Sequence, residues 1–182
     1  MFPAVRMHRL RSSARVRELV QETDLNLRDF VLPIFVKGEE REKKAIEALP
    51  GHFHIPLSLL EEEINELIYL GIGSVMIFGI PPIKEPLGLD SYSSQGIVQK
   101  AIRKIRATAP DMLIMSDICF CQYMGHGHCG VLDQNDQHIA MVNNDQTLEL
   151  LVKQAISHAE AGSNIVCPSG MIDGAGRLCV KD

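Results

Sequence analysis

Four short apolar runs, VLPIFV (31–36), SVMIFGI (74–80), MLIMSDI (112–118) and NIVCPSG (164–170), are separated by three longer stretches with helical spacing. This alternation constrains the fold more than any other feature. Runs this short and this continuously apolar read as strands covered on both faces, the pattern of parallel rather than antiparallel sheets. Strand, helix and strand in that order require right-handed crossovers. The chain is therefore expected to be α/β, with a parallel sheet that is either open or rolled into a barrel.

The first strand is read as Phe30–Lys37. In LSLLEEEINELIYLGIG, Leu60, Ile64, Leu67 and Ile68 share one face, Ser58 before Glu61 suggests a capping box, and Gly71 and Gly73 stop the helix. The Pro-rich PPIKEPLGLDSYSSQG is long enough for a functional loop. In GIVQKAIRKIRATAP the apolar stripe is Ile97, Val98, Ala101, Ile102 and Ile105, with Lys100, Arg103, Lys104 and Arg106 facing water and Pro110 closing the helix. The third helix, in NDQTLELLVKQAISHAEAG, has Asn144 or Asp145 as its cap and Gly162 as its stop.

At 182 residues and 46 % hydrophobic the chain suffices for one domain, or for part of a larger one. A net charge of -5 gives no electrostatic footprint for nucleic acid or an anionic membrane. No run approaches the ~20 apolar residues of a membrane span. The Arg-rich beginning has no acid before Glu18, a faint transit-peptide signal, but it lacks a signal-peptide apolar core, and a basic surface arm is the favoured reading. Five cysteines, three of them crowded together, suit reduced thiols in a reducing compartment better than a disulfide framework.

The crowded segment is DICFCQYMGHGHCG, Asp117–Gly130, at the C-terminal end of the third predicted strand. Strand alternation sends Asp117, Cys119 and Cys121 to one side and Ile118 and Phe120 to the other. Gly125, Gly127 and Gly130 let the loop return and deliver Cys129 to the same point. Three thiolates without an obvious fourth protein ligand describe a zinc site with an open position. Buried unliganded cysteines are the plainer alternative. His126 and His128 are ligands, outer donors or simple loop residues, with His128 the favoured outer donor because it adjoins Cys129. A nucleophilic Cys121, His126, Asp117 triad can be drawn, as any cysteine-rich loop permits. Asp117 could equally cap a turn, and Ser169, in step with Cys167, points toward the lumen of a barrel or into solvent.

At these residues the chain resembles a known family. SDICFCQYMGHGHCGVL is similar to the zinc-binding signature of porphobilinogen synthase, also called delta-aminolevulinic acid dehydratase. RLRSSARVRELVQETDL, LPIFVKGEE, LPGHFHIPLSLLEEEI, LGIGSVMIFGIPPIKEPLGLDS, GIVQKAIRKIR, NNDQTLELLVKQAISHAEAG and IVCPSGMIDG follow the family in order along nearly the whole chain. The resemblance implies a (β/α)8 TIM barrel, of which residues 29–182 cover about the first four strands and residues 1–28 form an arm. The resemblance also implies that this arm wraps a neighbouring subunit, usually in an octamer. It implies condensation of two 5-aminolevulinate molecules to porphobilinogen, in the cytoplasm, with zinc on Cys119, Cys121 and Cys129 and supporting catalytic positions at Asp117 and Ser169.

The family's two Schiff-base lysines lie on later barrel strands, beyond the positions matched here, and Gly170 replaces the family's aspartate after Ser169. A half barrel leaves open edges and an uncovered sheet face. The chain alone is therefore expected to be inactive and aggregation-prone unless something completes it. Lys37 and Lys84 follow predicted strands but sit in charged or Pro-rich loops. A non-catalytic zinc-binding or subunit-interaction fragment is the alternative. A thiol redox protein ranks last, since it needs a strained disulfide between Cys119 and Cys121.

Overall fold

The computed structural model describes residues 4–38, 40–133 and 141–178. Elements run α1 (Ala14–Leu19), β1 (Leu32–Lys37), β2 (Lys44–Ala45), β3 (Phe53–Pro56), α2 (Leu60–Tyr69), β4 (Ser74–Ile80), α3 (Ile97–Thr108), β5 (Leu113–Ile118), α4 (Asn144–Ala161), β6 (Ile165–Pro168) and α5 (Ala175–Leu178).

One six-stranded sheet has the order β2-β3-β1-β4-β5-β6. The four strands expected from the apolar runs are β1, β4, β5 and β6, each parallel to and beside its predecessor. Within these four strands the order runs one way, as in a barrel wall, and β3 lies parallel on the far side of β1. The register Ile34↔Ile77, Ile77↔Ser116 and Asp117↔Cys167 puts equivalent strand ends at one level.

Two strands escape the sequence reading. Phe53–Pro56 lies parallel to β1, with Phe35 opposite His54, and Lys44–Ala45 lies antiparallel to it. Their four and two residues carry a proline, two histidine or lysine positions and no apolar run, so only pairing makes them strands.

Alternate residues of the sheet are treated differently. Ile34, Val36, Val75, Ile77 and Ile114 are buried against Leu60, Ile64 and Leu67 of α2 and Val98, Ile102 and Ile105 of α3. On the opposite face Phe35, Met76, Phe78 and Met115 are only half-buried, and the Phe35 and Phe78 rings stack at 5.1 Å. This is the side that faces the lumen in a closed barrel. Gly79 lets three elements meet: a Cβ there would sit 2.5 Å from Val98 and 2.7 Å from the Tyr123 hydroxyl.

Local details depart from expectation. The first strand starts at Leu32, not Phe30. Ser58 does not cap α2; Leu59 occupies the cap position, and the Ser58 hydroxyl donates instead to the Glu40 carbonyl at 3.3 Å. Asn143, rather than Asn144 or Asp145, caps α4 by accepting the Gln146 N–H at 3.0 Å. Asn144 is drawn away to Asp173, whose N–H it accepts at 2.8 Å. Arg106 does not simply face water: it donates to the carbonyls of Gly162, Pro110 and Met112 at 2.9, 2.8 and 2.9 Å and also reaches Asn164. Gly162 ends α4 at φ 111°, as its position suggested. Among the described residues no helix is long and apolar enough to cross a membrane. From residue 4 to residue 31 no side chain is buried, although Leu19 and Leu25 are large and apolar.

Candidate metal centre

The site is built where β5 and β6 end. Asp117 is 9 % exposed. It accepts the Ser169 hydroxyl on Oδ1 at 2.7 Å and the Gln122 amide on Oδ2 at 3.1 Å. Asp117 thus binds side chains from the next strand and from its own loop rather than capping a backbone turn. Sequence reasoning missed Gln122; its position five residues after Asp117 becomes informative only once the chain turns there.

The turn is specific. β5 ends at Ile118, and Tyr123 and Met124 both donate their N–H to the Phe120 carbonyl, at 3.0 Å each. Strand alternation therefore does not extend to Cys121, as had been expected. The turn itself brings Sγ of Cys121 to 3.3 Å from Sγ of Cys119. The burial of Ile118 and Phe120 on the far side, against Leu151 and Ala155 of α4, orients the two thiols away from that cluster. Gly127, at φ 74°, turns the loop back.

The three sulfurs of Cys119, Cys121 and Cys129 lie within 4.8 Å of one another. In a tetrahedral site with metal–sulfur bonds of about 2.3 Å, ligand sulfurs stand ~3.8 Å apart, so the cluster is close to the spacing a metal requires. The group could hold a metal ion, and soft thiolate donors favour zinc-like ions over magnesium or calcium. The Cα atoms of Cys121 and Cys129 stand 4.6 Å apart, which lets both side chains reach one point. A bound metal needs all three cysteines as thiolates.

His128 is exposed, its N–H donating to Nδ1 of His126 at 3.1 Å and its ring 5.6 Å from that of His126. Among the described residues it makes no hydrogen bond to a cysteine sulfur. His126 has its pKa lowered by desolvation, with the neighbouring His128 adding to it. Cys167 lies opposite Asp117 in the register; burial, then the Asp117 charge, pushes its thiol pKa up, which disfavours a reactive thiolate. Cys179 lies outside the described residues. None of the described lysines is buried. Lys37 pairs with Glu40, Lys43 pairs with Glu63 at 2.5 Å, and Lys84 is exposed.

A parallel, barrel-order sheet with a thiol cluster and a held carboxylate at its strand ends is a partial TIM barrel bearing a metal-competent site. Residues 4–178 match the family model of delta-aminolevulinic acid dehydratase. The Archaeoglobus fulgidus delta-aminolevulinic acid dehydratase is 43 % identical over 173 residues, 95 % of this chain and 52 % of that protein. The Bacillus subtilis enzyme is 45 % identical over 169 residues, 93 % of this chain and 51 % of that protein. The crystal structure of the Toxoplasma gondii enzyme, in complex with the reaction product porphobilinogen, superposes with a TM-score of 0.87 at 33 % identity. It covers 94 % of this chain and 48 % of that one. The chain belongs to the delta-aminolevulinic acid dehydratase family, and it spans about half the length of the curated relatives it matches.

Proposed function

We propose that this chain carries the metal-binding part of a porphobilinogen synthase site, serving the condensation of two 5-aminolevulinate molecules to porphobilinogen with loss of two waters. The observation that carries the reading is the convergence of Cys119, Cys121 and Cys129 within 4.8 Å at the strand end. In the reduced protein these three thiolates hold zinc. Zinc supplies Lewis acidity toward the second substrate when bound. Asp117, held by Ser169 and Gln122, presents a fixed carboxylate to the amine or carbonyl of a substrate. Ser169 supports it and offers a hydroxyl of its own. His128 completes the rim beside Cys129.

Schiff-base chemistry needs a desolvated lysine, and every described lysine is exposed or half-exposed. Residues 1–182 alone are therefore expected not to turn over. The same observation favours a second reading, a zinc-binding or subunit-interaction fragment without catalysis of its own. The exposed Leu19 and Leu25 of the arm suit contact with another subunit, and a homo-oligomer in the cytoplasm is the expected state.

The test is intact mass after borohydride reduction with 5-aminolevulinate, with porphobilinogen assayed in the same tube and zinc measured on the reduced protein. Zinc at one equivalent with neither adduct nor product is the expected result. A covalent adduct with product would place a working lysine within residues 1–182, and absence of zinc would remove the metal reading.

A further inference from the structure

Helix α4 touches the cysteine loop at both of its ends. At the start, the Gln154 amide donates to the Cys119 carbonyl at 3.3 Å. At the finish, the Val131 N–H donates to the Thr147 hydroxyl at 3.0 Å. Both side chains are fully buried. Two helical turns separate them, about 10 Å along one face. Between them Leu151, with Ala155, packs on Phe120 and Met124 of the loop. The finish is stitched twice, because Asn143, the cap of α4, donates its N–H to the Val131 carbonyl at 2.8 Å. Gly130 seats the loop directly on the helix: a Cβ there would come within 2.6 Å of Thr147 Cγ2.

We propose that Thr147 and Gln154 are positioning residues for the metal centre, holding the ends of the 119–131 loop so that three thiols converge without either side chain touching a sulfur. This rests on the metal reading above. Three ligands from one loop bind well only if the loop's conformational entropy is spent before the metal arrives. A purely apolar helix face would bury the loop but would leave the Cys119 carbonyl and the Val131 N–H without partners. The face instead accepts a desolvation cost: Oε1 of Gln154 is buried with no partner among the described residues. That cost has a return only if the amide's other end matters.

The test is anaerobic titration of the reduced full chain with Co(II), reading the thiolate-to-cobalt absorption and taking affinity from competition with a chelator. Outer-sphere partners of ligands typically change metal affinity by about 10- to 100-fold. Thr147→Val and Gln154→Leu are expected to weaken cobalt binding by that factor, with far-UV circular dichroism retained. Thr147→Ser, which keeps the hydroxyl, is expected to bind as the unaltered chain does. A milder Gln154→Asn, too short to reach the Cys119 carbonyl, is expected to weaken binding should Gln154→Leu fail to fold. A merely structural role predicts a lowered metal-free melting temperature with unchanged affinity. That result overturns the proposal, as does Thr147→Ser binding as weakly as Thr147→Val. Failure of the unaltered chain to bind cobalt overturns the metal reading itself, and the positioning role with it.

Discussion

The Ser169 hydroxyl donates to Oδ1 of Asp117 at 2.7 Å, joining the ends of two neighbouring parallel strands from positions 52 residues apart. With Gln122 on the other oxygen, the carboxylate is held from both sides. Ser169→Ala is expected to cost about 1.5 kcal/mol of stability, the low end for a hydrogen bond to a charged acceptor. Asp117→Ala is expected to cost about 2 to 3 kcal/mol, because it strands two donors. Urea unfolding of both variants and their double mutant measures the coupling, which is expected to be positive. A strictly additive pair would show that the bond does not contribute.

Arg106 ties the end of α3 to the chain entering β5 and to the Gly162 turn that ends α4. Arg106→Ala is expected to destabilise by about 2 to 4 kcal/mol, since three carbonyls and the Asn164 amide lose a shared donor. Arg106→Lys is expected to recover only part of that, because one ammonium cannot span the fork. Thermal melting of the two variants decides between them.

His158 is fully buried on α4, and desolvation, the main cause, lowers its pKa to about 4, opposed by the nearby Ser91 backbone, which favours the protonated ring. The folded state therefore holds it neutral, while the unfolded chain takes up a proton near its ordinary value of 6.5. Stability is unaffected by this group above about pH 6.5 and falls as pH drops from there toward 4, by about 3 kcal/mol in all. Urea midpoints from pH 7.5 to 4.5 are expected to fall less steeply in His158→Leu than in the unaltered chain.

The reduced chain is expected to bind one thiophilic metal ion at Cys119, Cys121 and Cys129, with a rise in melting temperature that a chelator reverses. Cys129→Ser is expected to lose the metal-dependent rise. Metal binding by Cys129→Ser at full affinity would separate the metal from these thiols.

Much of the fold was legible because apolar runs and helical stripes report burial one residue at a time. The four parallel strands, the buried stripe Ile97 to Ile105 and the Gly162 stop all come from such local signals. What was not legible depended on partners distant in sequence. Asn143 competes with Asn144 for the cap of α4 only because Asp173 engages the latter, and Arg106 leaves solvent only because Gly162 and Pro110 come within its reach. Strand β3 has no signature apart from the edge of β1 beside it.

At the site the division is the same. Residue types alone fix which groups are available: three thiols and a carboxylate around an apolar strand end, with glycines that permit a return, because donor chemistry and backbone freedom are properties of single residues. Tertiary structure decided how they are used. The turn at Phe120 brings Cys121 to Cys119, Ser169 and Gln122 hold Asp117, and α4 fastens both ends of the loop. Each of these depends on distances between side chains that only packing of the helix against the sheet establishes, and no spacing in the chain encodes such a distance by itself.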